Sequence, residues 1–240
     1  GVGSIYELRT FDRKHGRTLH SVMIAGLDWW KVNENDRITE HTLQRALGVK
    51  YFLCPPVEQD QSKKFMPREY VPAVRFPRWL VCNECDRLGK VPQEFKDLGR
   101  KGPRCKKQNC NGKGVPVRLV SACYDPDGRD AQQPGHIDEF PWVWWAHSRR
   151  GRKCANPQLR LISEGKSTAL SGLTVKCCNE ECGASRSLGD VFLKHALSKL
   201  KCNGSQPWLH RNEEGCGRPI RALLRGASNT YFPVTASALS

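Results

Sequence analysis

The sequence predicts an α+β protein: small irregular domains stapled by zinc-ribbon-like four-cysteine sites. Three observations lead there. The chain has 12 cysteines in 240 residues, several of them in short Cys-x2-Cys or Cys-x4-Cys knuckles. Its 38% hydrophobic residues are enough to bury a core. After residue 70 it becomes rich in Gly, Pro, Lys and Arg, with little helical periodicity before Ser187. Cysteines so spaced favour metal ligation over disulfides when no signal peptide is present, and Gly1-Val-Gly-Ser4 lacks the charged start and apolar centre of one. No run approaches the roughly 18 apolar residues of a membrane span. The chain therefore reads as cytoplasmic, with no membrane partner, and secretion with six disulfides is the rival that the spacings disfavour.

Residues 1–70 read as an N-terminal α/β segment. Apolar strands are expected at Ser4-Ile-Tyr-Glu-Leu8 and Ser21-Val-Met-Ile-Ala25. A helix follows, with Thr39 as N-cap, Leu43, Ala46 and Leu47 on one face, and Gly48 as the C′ residue. Val49-Lys-Tyr-Phe-Leu53 reads as a strand ended by Cys54-Pro55-Pro56, because proline cannot donate to a ladder. Cys54 lies alone and is expected to be a small buried apolar residue. The polar run from Asp60 to Arg68 is the expected linker.

Residues 71–122 form the first zinc-ribbon-like module. Cys82-x2-Cys85, a 19-residue excursion and Cys105-x4-Cys110 approach the spacing in which two turns each present two thiolates to a tetrahedral ion. The excursion has room for a hairpin or a short helix over Pro92–Leu98. Redox use would want a lone Cys-x2-Cys at a helix start, and this one has a second pair in range. Residues 171–240 are expected to hold a second module: Cys177 or Cys178, then Cys182, Cys202 and Cys216. Cys177 is favoured because it repeats the x4 gap of Cys105 to Cys110. A helix is expected from Ser187-x-x-Asp190, with Leu193, Ala196, Leu197 and Leu200 as its apolar stripe and His195 on its flank. In the middle segment, 123–170, Cys123, His136, His147 and Cys154 could form a third site, although their spacing fits no standard finger. Two Zn2+ ions are expected, and the middle set has the ligands for a third if it closes on a metal.

Phe140-Pro-Trp-Val-Trp-Trp-Ala-His147 alternates as a strand would, with Trp142 and Trp144 on one face and Val143, Trp145 and His147 on the other. Arg149, Arg150, Arg152 and Lys153 follow at once and are the candidate nucleic-acid contacts. The tryptophans could stack on bases, but a small domain with few other large apolar groups needs them in its core. The formal charge is +15, and two four-thiolate zinc sites would lower it to about +11, which still favours a polyanionic partner such as DNA. No phosphate loop, His-Glu-x-x-His or Gly-x-Ser-x-Gly elbow is present, so no catalytic residue is expected.

Several motifs together resemble the N-terminal part of the DrmB family, a core component of the bacterial DISARM phage-defence system. They are Gly1-Val-Gly-Ser-Ile5, Ala25-Gly-Leu-Asp-Trp29, Val74-Arg-Phe-Pro-Arg-Trp79 before Cys82, Gly135-His-Ile-Asp138 with Phe140-Pro-Trp142, His147, Cys154, Cys182-Gly-Ala-Ser-Arg-Ser-Leu188 and Arg225-Gly-Ala-Ser-Asn-Thr-Tyr-Phe-Pro233. The stretch from Cys123 to His136 is longer than the family pattern, and family members are much longer than this chain, which reads as a fragment. The resemblance implies a partner to a DrmA-type helicase in a complex acting on foreign DNA, with no established active site. A zinc-dependent nuclease or hydrolase, or a scaffold binding only the helicase, are the other readings of the same residues.

Overall fold

The computed structural model describes residues 1–13, 16–30, 35, 37–54, 57–58, 68–69, 71–127, 135–150, 154–163, 169–209, 215–231 and 237. The protein is mostly β with a few short helices. Strands β1 (Ile5–Asp12) and β2 (Gly16–Ile24) form an antiparallel pair running from Ile5 opposite Met23 to Asp12 opposite Gly16. Both extend well beyond the apolar cores that the sequence marked.

The next elements are small: β3 (Arg37–Ile38), α1 (His41–Leu47) and β4 (Phe52–Leu53), which pairs with β3. Helix α1 starts one residue later than expected, because the carboxylate of Glu40 rather than the hydroxyl of Thr39 accepts from the backbone N–H groups of Thr42 and Leu43. It ends as expected at Gly48, whose φ of 64° is the left-handed conformation that glycine adopts without a Cβ clash. The strand expected over 49–53 contracts to its last apolar pair in β4. Cys54 is exposed, which corrects the expectation of burial: the two-residue β4 carries it past the packed part of this segment. Strands β5 (Val57–Glu58) and β6 (Arg68–Glu69) pair with each other, and residues 60–67 of the expected linker lie outside the described residues. Strand β7 (Ala73–Arg75) then returns to the far side of β2, giving the sheet order β1-β2-β7.

From here the chain builds two larger sheets and a small two-stranded one. Strands β8 (Trp79–Cys82) and β9 (Arg87–Lys90) make a hairpin around the first knuckle. The 19-residue excursion holds a second hairpin, β10 (Phe95–Lys96) against β11 (Arg104–Cys105), with a short 3-10 turn at Gly99–Lys101 between its strands. After β12 (Gly114–Pro116), which pairs with β8, come β13 (Leu119–Cys123) and β14 (Ile137–Glu139). Helix α2 (Trp142–His147) follows, then β15 (Leu159–Ser163), β16 (Leu173–Cys177), β17 (Ser185–Ser187) and β18 (Ile220–Leu224). The larger sheet has the order β12-β8-β9-β15-β16-β17, and the smaller one β14-β13-β18. Both combine strands far apart in sequence.

Two expectations for secondary structure are corrected. The tryptophan segment is a helix, not a strand, so Trp142 and Trp145, three residues apart, share the face that packs inward at 1% and 0% exposure. Phe140 packs edge-on against Trp142 with ring centroids 4.7 Å apart, and its centroid lies 5.5 Å from that of Trp145. Around these rings gather Leu88, Leu119, Leu159, Val175 and Leu197, and the guanidinium of Arg186 lies 3.4 Å from the Trp145 ring centroid. The tryptophans thus serve the core. The second correction concerns the expected helix from Ser187. Residues 188–200 form successive tight turns closed by bonds such as Val191 N–H to Leu188 O and Leu200 N–H to Leu197 O. Ala196 and Leu197 still bury, but Leu193 is 53% exposed, so the stripe is broken.

Replacing Trp145 by Ala is expected to destabilise the fold by about 3–5 kcal/mol, through lost burial and the cavity left under Arg186. Urea unfolding followed by fluorescence of the remaining tryptophans measures this.

Candidate metal centres

Twelve side chains named from the sequence as ligands come together in three sets of four, and within each set the ligand atoms lie within 4.8 Å of one another. The first set is the one expected: Cys82, Cys85, Cys105 and Cys110. Cys82 ends β8, Cys85 closes the knuckle and Cys105 ends β11, so two hairpins face each other across the site. The Sγ atoms of Cys82 and Cys110 are 3.5 Å apart, and those of Cys85 and Cys105 3.7 Å. A tetrahedral ion with bonds of about 2.3 Å holds its sulfurs about 3.8 Å apart, so these spacings suit a zinc-sized ion. Gly112 is required beside the site, since a Cβ there would lie 2.3 Å from Cys82 Sγ.

The other two sets regroup the expected ligands. Cys123 and His136 join Cys202 and Cys216, while His147 and Cys154 join Cys177 and Cys182. The sequence grouping, with Cys123, His136, His147 and Cys154 together and Cys177, Cys182, Cys202 and Cys216 together, does not occur. Strand pairing is the cause. Strand β13 pairs with β18, placing Cys123 opposite Ile220, and the chain around Cys202 bonds to that before β18, with Cys202 N–H to Arg218 O at 2.8 Å. Helix α2 packs against β16 and β17, which carries His147 to Cys177 instead. The result is a nested order, with the His147 set lying inside the chain interval spanned by the Cys123 set. Cys177 is buried within its tetrad and Cys178 is exposed outside it, as the x4 gap indicated.

Local hydrogen bonds hold these ligands in the form a cation needs. Amide N–H groups of Lys107, His136 and Gly204 point at the sulfurs of Cys105, Cys123 and Cys202, at 3.4, 3.2 and 3.4 Å. The Cys123 sulfur lies 3.6 Å from His136 Nδ1. His147 Nδ1 is 2.6 Å from the carbonyl oxygen of Val143, one turn back, so Nδ1–H donates to it. Nε2 is then the bare acceptor, buried with no hydrogen-bond partner among the described residues. An orphaned imidazole nitrogen beside three cysteines is what a metal ligand looks like without its ion, and the carbonyl fixes the tautomer that ligation requires.

Burial pushes the thiols of Cys82 and Cys202 up to about 12. Burial also raises Cys105 and Cys154. Cys182 goes the other way, down to about 6, chiefly through the amide of Ala184 with help from Arg150. Cys85 is lowered too: burial opposes this, but the Arg87 amide and the neighbouring thiols outweigh it. Without a cation, the His147 set thus combines a thiol raised by burial at Cys154 with a readily ionised one at Cys182.

The basic cluster after α2 is only partly visible. Arg149 pairs with Asp190 at 3.0 Å, and Arg150 reaches the carbonyl of Glu181 at 3.5 Å. Arg152 and Lys153 lie outside the described residues. No helix among the described residues is long and apolar enough to cross a membrane.

A mostly β chain that gathers one four-cysteine set and two sets of three cysteines and a histidine among its sheets is a β protein built around candidate metal sites. The chain belongs to the family described as "Domain of unknown function (DUF8724)", which it matches over residues 1–232. It is 32% identical over 223 residues to the DISARM protein DrmB of Bacillus paralicheniformis, a match that covers 91% of this chain and 36% of that protein. This homology bears out the resemblance read from the motifs. The chain spans little more than a third of that relative.

Two experiments follow from the geometry. Replacing Cys177 and Cys202 together by Ser should cost two bound metal ions, and replacing Cys123 and Cys202 together should cost one. The grouping read from sequence gives the opposite pattern, and elemental analysis of folded protein distinguishes them. Because Cys82 and Cys202 are protonated at neutral pH without an ion, metal uptake should release protons. Apparent affinity should fall on acidification by about tenfold per pH unit for each proton displaced, as read by competition with a chromophoric chelator.

Proposed function

We propose that the chain is a zinc-stabilised, DNA-engaging and helicase-binding part of a subunit in an anti-phage defence complex acting on foreign DNA. The observation that carries the non-catalytic part of this reading is the completeness of the three tetrads. Each offers four protein ligands to one ion, leaving no coordination position for water or substrate, which is the pattern of structural zinc. The anti-phage role comes from the likeness to the DISARM protein DrmB. Zinc is the ion that thiolate-rich tetrahedral sets favour. Three such sites carry the same total charge as two four-thiolate sites, so about +11 remains on the chain to attract phosphates, Arg149, Arg150, Arg152 and Lys153 being part of that charge.

One observation favours a second reading. Asp138 and Glu139 line a cavity of about 200 Å³ beside Cys123, His136 and Cys202, and burial pushes the Glu139 carboxyl up to about 7. A metal-dependent hydrolase would want such a group. Glu139, however, accepts the backbone N–H of Arg78 at 2.5 Å, which ties its carboxylate to the turn before β8. DNA cleavage that a chelator abolishes would establish the hydrolase in place of the non-catalytic reading.

Fluorescence anisotropy with duplexes of unrelated sequence tests the main proposal. Binding should weaken steeply as salt rises and depend little on base sequence, because phosphate neutralisation releases counterions. The chain should also be retained by a DrmA-type helicase. Retention by the helicase with no DNA binding at low salt would leave only the scaffold.

A further inference from the structure

The outward face of the larger sheet carries a charge arrangement that neither core packing nor metal ligation explains. Side chains directly opposite each other on antiparallel strands point to the same side. The register sets Arg87 of β9 opposite Arg160 of β15, and Arg160 opposite Lys176 of β16. Three cations therefore stand in a row across three consecutive strands, while Leu88, Leu159 and Cys177 on the same strands bury on the other side. With strands about 4.8 Å apart, the row spans about 10 Å.

Like charges placed directly opposite destabilise a sheet, so the row needs a counter-charge. Among the described residues its one ion pair is Arg160 with Asp86, at 3.3 Å, and Arg160 also donates to the carbonyl of Cys85 at 3.0 Å. Arg87 and Lys176 have no such partner among the described residues. At one end, Lys107 joins Arg87 and Arg160 in lining a groove of about 380 Å³. The carboxylate of Glu94, also in that groove, accepts the Lys90 backbone N–H at 2.8 Å. At the other end, Ser185 of β17 lies opposite Lys176, and Ser187 lies opposite Thr174. Lys107, Lys176, Ser185 and Ser187 are all exposed.

We infer that this face, from Lys107 through Arg87, Arg160 and Lys176 to Ser185, is the surface that holds the sugar-phosphate backbone of nucleic acid. The inference rests on the DNA-engaging reading and says where on the molecule the contact is made. A row of about 10 Å matches about three nucleotide steps at 3.4 Å, so evenly spaced phosphates supply the missing counter-charge. The guanidinium forks and the serine hydroxyls are the donors that phosphate oxygens take. No exposed aromatic side chain accompanies them on these strands, so the face suits backbone contacts and gives no base readout.

The test compares the unaltered chain with Arg87→Gln/Lys107→Gln/Lys176→Gln, which leaves Arg160 with Asp86, and with Arg149→Gln/Arg150→Gln. Lys107→Gln/Lys176→Gln, at two exposed positions, serves if the triple variant does not fold, and metal content checks folding in each. Affinity for a labelled duplex at about 50 mM salt should fall at least about tenfold in the triple variant, and the salt slope should flatten by about 2–3, since each phosphate contact contributes about 0.9. The Arg149/Arg150 variant should lose less. Unchanged affinity and slope in the sheet-face variant, with the unaltered chain still binding, would overturn this location and leave the DNA-engaging reading standing. Absence of binding by the unaltered chain would overturn both.

Discussion

Thiolates cannot share a small buried space without a cation, and the rest of this structure depends on that constraint. Three or four sulfurs within 4.8 Å of one another repel if ionised and fail to bind metal if protonated. The chain places such sets at the ends of strands: Cys82 closes β8, Cys123 closes β13 and Cys177 closes β16. A divalent ion at each set would turn three points of repulsion into three cross-links. Several strands here are only two or three residues long, too short to persist on ladder hydrogen bonds alone.

The same constraint explains how much could be read from the sequence. Knuckles are local: Cys82 with Cys85 and Cys105 with Cys110 are paired by the few residues between them, so spacing identified them and rejected Cys178 in favour of Cys177. Which knuckle joins which is not local. It is decided by the register of β13 against β18 and by the docking of α2 on β16, and neither leaves a mark on ligand spacing. The 19 residues between Cys182 and Cys202 repeat those between Cys85 and Cys105, yet the repeat carries no shared geometry.

Secondary structure in the middle of the chain was misread for a related reason. Residues Trp142 to Trp145 are too few to separate alternation from a helical turn. The deciding fact is that Trp142 and Trp145 both reach the core formed by Leu88, Leu119 and Leu159, which lie on three different strands. The reading of residues 187–200 failed for the opposite reason: apolar residues recur at helical spacing, but only some of them find the core, and the chain bends to bury those. Core membership was more legible than element type, because burial follows side-chain chemistry while element type follows the partner.

The nested ligand order also has a consequence in time. On a ribosome the first tetrad is complete once Cys110 has emerged and the inner one once Cys182 has, but the outer one must wait for Cys216. Cys123 and His136 are made early and remain without their partners while the intervening chain is synthesised, a wait of seconds at about 5–20 residues per second. Closing the inner set first shortens the free loop that the outer set must close, so its entropic cost drops by the time the last ligand arrives. Assembly is therefore ordered by the position of the ligands along the chain, and the β13–β18 pairing is the last part of the two later sheets to lock.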